Sequence, residues 1–488
     1  MHLRVIRANH ALIVAFLSSA FLVAIHAGFP YAAPLALLPL LWTLQKAHAF
    51  RTGWITGILQ WAGLCYWIQG TLARHGGLDP WLAWLALILF SLAKGLHTAA
   101  FAWLAKPLLK HARWGPPAIA ALWTGLERTH GDFGFAWLTL GNAGIDSAYL
   151  ARLAPFTGVY GLSFLFALTA AALLAARKDR RALAWLALWI LPLALPALKE
   201  HPPNQQALAV QPNFNESDPP RDPYFPLFDL TGQALKTNRP QAILWPEVPV
   251  GIYYDTDLAF RRSANRLARD AQTTLIIGTV AFAKPGAPRN SAQIISPSGE
   301  PMQRYDKVNL VPFGEYVPWP FATLVDKVST EAGTFTPGDH AVVQNGWGTF
   351  ICYESAFPNF VRQFTAQGAQ VLVNLTNDGY FARSAARQQH VSLARMRAVE
   401  NGRWLLRVTN DGYTMSISPT GRIAAQAAPY QASATLLPFA YEKDLTAYAR
   451  YGDWFAWLCL AGGLVGGLVG RAPWPIGANL RRNITIVG

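Results

Sequence analysis

The chain has 488 residues, of which 52% are hydrophobic, only 14% are charged and 19 are tryptophan. This length exceeds one ordinary domain, and so apolar a composition argues against a typical soluble protein and predicts membrane spans. The net charge of +14 fits either nucleic-acid binding or the basic cytoplasmic loops of a membrane protein. The positions of Lys and Arg must therefore decide between the two.

Apolar segments along the chain predict eight membrane spans. The first segment follows two arginines, as in a signal peptide, but more apolar segments follow at once, which favours an uncleaved span. The predicted spans are residues 11–28, 31–45, 54–72, 81–105, 116–126, 156–176, 182–198 and 454–470.

The basic residues set the expected orientation, because cytoplasmic loops are enriched in Lys and Arg. The short loops on one side hold chiefly Arg74, Arg128 and Arg152. The segments on the other side carry Arg4, Arg7, Lys46, Arg51, Lys106, Lys110, Arg113, Arg177, Lys178, Arg180, Arg181, Arg471, Arg481 and Arg482. We therefore expect both termini in the cytoplasm. Basic charge spread over alternate loops also argues against a nucleic-acid partner.

Residues 199–453 lie between the seventh and eighth spans and must then face the exterior, which in a bacterium is the periplasm. Short β-prone runs alternate here with amphipathic stretches such as 257–271 and 385–400, which predicts an α/β domain with a central sheet covered by helices. The β-prone runs are 207–210, 242–245, 274–280, 292–295, 349–351, 371–374, 405–408 and 414–418. Residues 1–198 form the expected membrane bundle, and residues 454–488 the last span and a cytoplasmic tail.

The three cysteines, Cys65, Cys352 and Cys459, lie far apart and show no CxxC or zinc-like spacing. We predict no structural metal, no disulfide framework and no cofactor. Two of the cysteines fall in hydrophobic stretches, which leaves Cys352 as the only thiol in the more polar half of the chain.

Cys352 ends a short β-prone run, and a helix-compatible segment follows at 358–367. A cysteine near a helix N-terminus is favoured as the thiolate, which suggests a nucleophile. A lone cysteine is also often a small buried hydrophobe, so the motif leaves both interpretations open.

Two further motifs in the same domain offer charged partners for a cysteine nucleophile. Glu247 follows a β-prone run and a proline, and Lys307 lies in a loop rich in proline and aromatic residues, eight residues before Glu315. Nucleophilic cysteine chemistry requires a base, a cation or amide for the oxyanion, and carboxylates that orient the cation. Glu247, Lys307 and Cys352 supply these parts, although spacing alone does not show that they converge.

These motifs resemble the apolipoprotein N-acyltransferase family of the nitrilase superfamily over essentially the whole chain. They are WPE at 245–247, YDK at 305–307, CYE at 352–354 and the more specific string LVPFGEYVP at 310–318, with QPN at 211–213, TND at 376–378 and ARMRA at 394–398. The resemblance implies a membrane bundle of about eight helices, an α/β nitrilase-like αββα sandwich domain, and a Glu-Lys-Cys triad of Glu247, Lys307 and Cys352.

The chain departs from this family in two loops. Members commonly have a Lys-Trp pair soon after the Gln-x-Asn motif, and residues 213–217 have none. Members also often read NDAWFG where this chain has NDGYFA at 377–382. These departures concern substrate-contacting loops and leave the triad unchanged.

The resemblance implies transfer of a fatty acyl chain from a membrane phospholipid to the N-terminal amine of a diacylglyceryl-cysteine apolipoprotein. The expected setting is the bacterial inner membrane, and we expect a monomer. Glu315 would hold Lys307 or assist proton transfer, Glu354 would orient the cysteine loop, and Tyr353 would shape the acyl pocket. The alternatives are structural ion pairs for the two glutamates and a packed aromatic for Tyr353.

Two other functions are compatible with parts of the sequence: a membrane-tethered amidase that hydrolyses small amides, and a transporter or scaffold whose exterior domain only binds. The string at 310–318 and the whole-chain architecture favour the transferase. Lys94 lies in the fourth predicted span and is a candidate functional residue, unless it snorkels or pairs with Glu127. We interpret His390 as a satisfied structural histidine.

Overall fold

The computed structural model describes residues 2–45, 48–215, 222, 224–247, 251–317 and 335–471, with side chains from residue 13 onward. Several predicted features lie outside these residues: Arg4 and Arg7 as side chains, Lys46, Pro318, Arg481 and Arg482. The end of the loop at 213–217 is also outside them.

The N-terminal part of the chain forms a helical bundle. Its α-helices are α1 (His2–Ala24), α2 (Leu38–Leu44), α3 (Ala49–Leu64), α4 (Trp67–Arg74), α5 (Pro80–Leu108), α6 (Gly115–Arg128), α7 (Ala154–Thr157), α8 (Val159–Ala176) and α9 (Leu191–Ala194). Short 3₁₀ helices lie at Pro30–Leu35, Leu140–Gly144, Leu150–Leu153 and Arg180–Ile190. In the described part of the chain, α5 and α8 are long and apolar enough to cross a membrane. The count of eight spans stays a prediction.

Several of the eight predicted spans differ from a single α-helix. Residues 54–72 divide into α3 and α4. Residues 31–45 divide into a 3₁₀ helix that contains Pro34, followed by α2. Residues 182–198 divide into the 3₁₀ helix Arg180–Ile190 and the four-residue α9, which holds Pro192 in its first turn. Because proline has no backbone N–H and disfavours helical geometry in the residue before it, these prolines interrupt the α-helical hydrogen-bond pattern.

The bundle exposes large apolar side chains on its outer faces. On α5, Trp81 and Ile88 are 65% and 52% exposed, and on the helix Trp454–Val469 the side chain of Leu458 is 63% exposed. Soluble proteins seldom expose so much contiguous apolar surface, whereas lipid tails would cover it. This surface is typical of a membrane protein.

The second part of the chain is a two-sheet domain. Its strands are β1 (Gln205–Gln211), β2 (Ala242–Leu244), β3 (Thr274–Lys284), β4 (Ala287–Ile295), β5 (Tyr305–Asp306), β6 (Val343–Gln344), β7 (Trp347–Ile351), β8 (Val371–Thr376), β9 (Leu405–Thr409), β10 (Met415–Ile417), β11 (Ile423–Gln426) and β12 (Ser433–Phe439). One sheet has the order β12-β1-β2-β3-β4-β5 and the other β11-β10-β9-β8-β7-β6. The helices are α10 (Tyr224–Leu235), α11 (Leu258–Ala271), α12 (Pro358–Ala366), α13 (Ala386–Asn401), α14 (Ala447–Tyr451) and α15 (Trp454–Val469).

The alternation of side chains along a strand shows how the sheets and helices are layered. In β2, Ile243 packs in the core formed with α10 and α11, while Ala242 and Leu244 pack in the core between the two sheets. Since successive side chains point to opposite faces of a strand, one face meets the outer helices and the other meets the second sheet. The αββα sandwich expected from the family resemblance is therefore confirmed, and the single central sheet expected from the strand pattern is wrong.

The bundle and the two-sheet domain are joined by hydrogen bonds near the middle of the molecule. Gln389 Oε1 accepts bonds from the indoles of Trp67 (3.2 Å) and Trp137 (2.8 Å), and its Nε2 donates to the Leu64 carbonyl (3.1 Å). These contacts fix α13 of the domain against the bundle.

Candidate active site

Three strand ends deliver the predicted triad residues to one region. Glu247 follows β2 and Lys307 follows β5, both in the first sheet, while Cys352 follows β7 in the second. The three residues are buried, with exposed fractions of 5%, 1% and 5%. Because the sheets pack face to face, side chains at these strand ends meet between them.

Lys307 is held between two carboxylates. Its Nζ lies 3.2 Å from Glu247 Oε1 and 3.0 Å from Glu315 Oε1. Burial by itself lowers the pKa of Lys307, but the two carboxylates outweigh burial and raise that pKa well above its usual range. Lys307 is therefore an ammonium at neutral pH, held where it can stabilise a developing negative charge.

Asn290 completes this cluster, and it is absent from the sequence predictions. Its Nδ2 lies 2.7 Å from both Glu247 Oε1 and Glu315 Oε1, and its carbonyl accepts the Lys307 amide (2.8 Å). Asparagine is disfavoured in strands, and Asn290 lies within β4. An asparagine inside a strand is the one local sign by which the sequence could have marked Asn290.

Gly278 on β3 lets the Glu247 segment approach the sheet. A Cβ at this position would lie 2.3 Å from the Pro246 carbonyl oxygen and 2.9 Å from Glu247 Cα. No larger side chain fits without moving the carboxylate. The glycine is therefore part of what positions Glu247.

Cys352 lies in a strained turn between β7 and the 3₁₀ helix Cys352–Ala356. Its φ is +51°, in the left-handed region that few non-glycine residues occupy. Burial raises the pKa of the Cys352 thiol, and Glu247 raises it further, while Lys307 lowers it. The net shift is upward because burial is its largest cause, so the prediction of a thiolate at this position is wrong. The thiol is protonated at neutral pH and needs a base to react.

Glu354 joins the turn after β5 to the turn after β7. It is fully buried. Its carboxylate accepts hydrogen bonds from the Tyr305 hydroxyl (2.6 Å) and from the amides of Val308 (2.8 Å), Asn309 (3.0 Å) and Ile351 (2.8 Å). Burial raises the pKa of Glu354, although these donors oppose the shift. One side chain therefore fixes the relative position of the two turns.

Tyr353 points into the bundle. Its hydroxyl accepts the Ala136 amide (3.0 Å), and its ring stacks against Phe135 and Trp137, with centroids 5.6 and 6.3 Å away. Tyr353 thus anchors the Cys352 turn to the membrane part of the chain.

His390 supports the same turn from the other side. Its Nε2 lies 3.0 Å from the Cys352 carbonyl oxygen, and its Nδ1 lies 2.9 Å from Arg407 and 3.2 Å from Asp378. The prediction of a satisfied structural histidine is confirmed. The sequence pattern gave no sign of its contact with the cysteine turn, because the contact is made through the backbone.

The buried carboxylate of Asp378 is expected to stabilise the folded protein. Burial raises its pKa, but the Arg407 guanidinium, 2.8 Å away, and His390 outweigh burial and leave that pKa below its usual value. A depressed folded pKa contributes stability that is present above the unfolded pKa of about 4 and is lost as pH falls through the folded value. We expect Asp378→Asn to cost about 3 kcal/mol or more at pH 7, because it breaks a buried ion pair.

Thermal unfolding of the detergent-solubilised protein measures this effect. The gap in Tm between wild type and Asp378→Asn should narrow only below about pH 4, where the unfolded state binds a proton at this carboxylate before the folded state does. Asp255→Asn is the matched control, since Asp255 is 40% exposed and pairs with Arg304 at the surface. A gap that is equal for both variants, or that is already closed at pH 6, would contradict the assignment.

The remaining sequence candidates have structural partners. Lys94 donates to the carbonyls of His130 (3.2 Å) and Phe135 (2.9 Å) rather than pairing with Glu127. The Asn213 amide donates to the Asn410 carbonyl (2.8 Å). The carbonyl of Tyr380 accepts from a threonine of α4. Both loops whose sequences differ from the family pattern are therefore anchored, at Asn213 and at Tyr380.

Comparison with known proteins covers both parts of the chain. The profile of the apolipoprotein N-acyltransferase N-terminal domain matches residues 15–172, and the carbon-nitrogen hydrolase profile matches residues 228–437. Apolipoprotein N-acyltransferase from Geobacter metallireducens is 32% identical over 448 residues, covering 86% of each chain. The protein of that name from Pseudomonas syringae pv. tomato is 32% identical over 453 residues, covering 86% of this chain and 87% of its own. Among solved structures, a NitN amidase from Neterenkonia sp. AN1 is 21% identical, with a TM-score of 0.38, covering 51% of this chain and 96% of its own. An identity of 32% over 86% of this chain shows that the chain belongs to the apolipoprotein N-acyltransferase family.

Proposed function

We propose that this protein transfers a fatty acyl chain from a membrane phospholipid to the N-terminal α-amino group of a diacylglyceryl-cysteine apolipoprotein. The observation that carries the proposal is the buried cluster in which Lys307 bridges Glu247 and Glu315 beside a strained, buried Cys352. The cluster lies in a chain whose relatives of similar length are named apolipoprotein N-acyltransferase.

In the first half-reaction, Glu247 takes the proton of the Cys352 thiol. A base is needed because the pKa of Cys352 is raised. The thiolate attacks the ester carbonyl of the phospholipid. The Lys307 ammonium and a backbone amide of the Cys352 turn stabilise the oxyanion. The C–O bond then breaks, and lysophospholipid leaves with the proton from Glu247. A thioester remains on Cys352.

In the second half-reaction, the amine of the apolipoprotein attacks the thioester carbonyl. Glu247 accepts a proton from the amine, and Lys307 again faces the oxyanion. The C–S bond breaks, the sulfur regains a proton from Glu247, and an amide leaves on the lipoprotein. No cofactor is required, because both steps are acyl transfers.

The supporting residues have matching roles in this proposal. Glu315 holds Lys307 in place, since its carboxylate contacts the ammonium directly. Glu354 and Tyr353 act as positioning residues, because they anchor the turn of Cys352 to the first sheet and to the bundle.

We also propose a location in the bacterial inner membrane. The proposed topology has eight spans with both termini in the cytoplasm, and the protein acts as a monomer. Residues 1–198 form the bundle, residues 199–453 the periplasmic catalytic domain, and residues 454–488 the last span and tail. The exposed apolar faces of α5 and α15 support contact with lipid, and the distribution of basic loops supports the orientation.

The test uses the purified full-length protein in nanodiscs with a phospholipid that carries a labelled acyl chain. A diacylglyceryl-cysteine peptide with a free amine is the acceptor. We expect the label in amide linkage on the peptide and none on an N-acetylated control peptide. Release of ammonia from small amides without labelled peptide would instead identify the tethered amidase and overturn the proposal.

Asn290→Ala tests the role of the shared donor. Without it, Glu247 and Glu315 lose their common hydrogen bond, and Lys307 loses its fixed geometry. Since misplacement by about 1 Å can cost about 100-fold, we expect acyl transfer to fall by about that factor. The rate of label transfer to the acceptor peptide measures this loss. Asn238→Ala is the control, because Asn238 is a partly buried asparagine at the surface. A rate within threefold of wild type would remove Asn290 from the positioning set.

A further inference from the structure

A basic cavity lies at the end of the bundle that is remote from Cys352. Its volume is about 480 Å³, and its lining includes Lys106, Lys110 and Arg471. None of the described residues that line it is acidic. Helix α3 begins at this cavity and ends at Leu64, which packs in the same core as Cys352. A helix of 16 residues separates the two ends by roughly 24 Å.

The three cations face a common space. Lys106 lies in the last turn of α5, Lys110 lies two residues beyond its end, and both line the cavity. Arg471 approaches from the end of α15, where its guanidinium carbon lies 3.2 Å from the centre of the Trp103 ring. The aromatic ring holds the guanidinium beside the lysines.

The start of α3 adds backbone donors to the same cavity. His48 gives no side-chain cap, and the first turn of α3 has no acidic residue. The first amides of a helix have no partner within the helix, and together with the helix dipole they favour an anion. Three cations and a helix N-terminus therefore converge on one site.

The position of the cavity identifies the kind of anion. Lys106 lies close to the C-terminal end of α5, a helix long and apolar enough to cross a membrane. Trp103 and Phe50, which also line the cavity, are 44% and 47% exposed, as aromatic residues are at a lipid interface. We infer that this cavity binds the phosphate of an anionic phospholipid, with the glycerol and acyl chains against the aromatic side chains. Basic pockets between spans are known to suit such head groups.

Native mass spectrometry of the full chain, stripped of lipid in neutral detergent, tests the inference. Phosphatidylglycerol and phosphatidylcholine are titrated separately onto wild type, K106Q/K110Q and Arg471→Gln. The control is R177Q/R180Q, which removes two exposed cations at the same end of the bundle, outside the cavity. All variants keep the proposed catalytic site, so a difference between them reports the cavity. Thermal unfolding of each variant checks that it is folded.

We expect wild type and R177Q/R180Q to bind one phosphatidylglycerol in preference to phosphatidylcholine. K106Q/K110Q should bind it at least about tenfold more weakly, and Arg471→Gln should also weaken it. Equal affinity in all folded variants would overturn the inference. An equal loss of affinity in R177Q/R180Q would also overturn it, because it would show that the lipid responds only to the general surface charge. Displacement of the lipid by millimolar inorganic phosphate would overturn the lipid assignment in favour of free phosphate.

Discussion

Lys307→Met should lower the rate of acyl transfer by about 1000-fold or more. The variant removes the ammonium that faces the proposed oxyanion, and loss of a single such donor alone costs about 100- to 1000-fold. It also leaves the carboxylates of Glu247 and Glu315 together without a cation. Two neighbouring carboxylates without a counter-ion repel each other, which should move Glu247 out of the position in which it acts as the base.

The same variant has a second signature at the thiol. Lys307 lowers the pKa of Cys352, so its removal should raise that pKa and slow alkylation by iodoacetamide at every pH below the pKa. Lys236→Met, an exposed lysine of the same domain, is the control. Transfer within tenfold of wild type, together with unchanged alkylation, would show that Lys307 is only a structural cation.

Glu354→Ala should destabilise the protein more than any other substitution near the site. It leaves the Tyr305 hydroxyl and three backbone amides buried without an acceptor. Each unsatisfied group costs about 1–3 kcal/mol, so we expect a total loss of at least about 4 kcal/mol in the free energy of unfolding. Thermal unfolding in detergent and the yield of folded protein measure this loss.

Two further variants distinguish this anchoring role from a direct role in the reaction. Tyr305→Phe removes one donor and keeps the three amides bonded, so its cost should be about 1 kcal/mol. Glu300→Ala, at an exposed turn, should change little. An unfolding temperature for Glu354→Ala equal to that of Glu300→Ala, with activity lost, would assign Glu354 to the reaction instead of to the turns.

The sequence pattern predicted the local elements of the domain well. All eight β-prone runs are strands, and the three predicted helices lie at Leu258–Ala271, Pro358–Ala366 and Ala386–Asn401. The pattern missed which strands pair. For example, β1 pairs with β12 more than 200 residues later in the chain, and nothing local marks such a partner. For the same reason the pattern predicts one central sheet, whereas the structure has two.

The site shows the same division between local and tertiary information. Glu247, Lys307 and Cys352 each stand in a short motif that follows a strand, so the pattern could select them. Asn290 acts through distant neighbours, and only its presence within a strand was unusual. The direction of the pKa shift of Cys352 was also missed, because burial decides it and burial depends on the packing of the whole domain.

Intact-mass spectrometry shows whether Cys352 carries the acyl chain. The purified protein is incubated with phospholipid and no acceptor. We expect wild type to gain the mass of one fatty acyl group, hydroxylamine to remove it as expected for a thioester, and folded Cys352→Ala to gain nothing. An acyl adduct of equal abundance in Cys352→Ala would show that another residue carries the acyl chain.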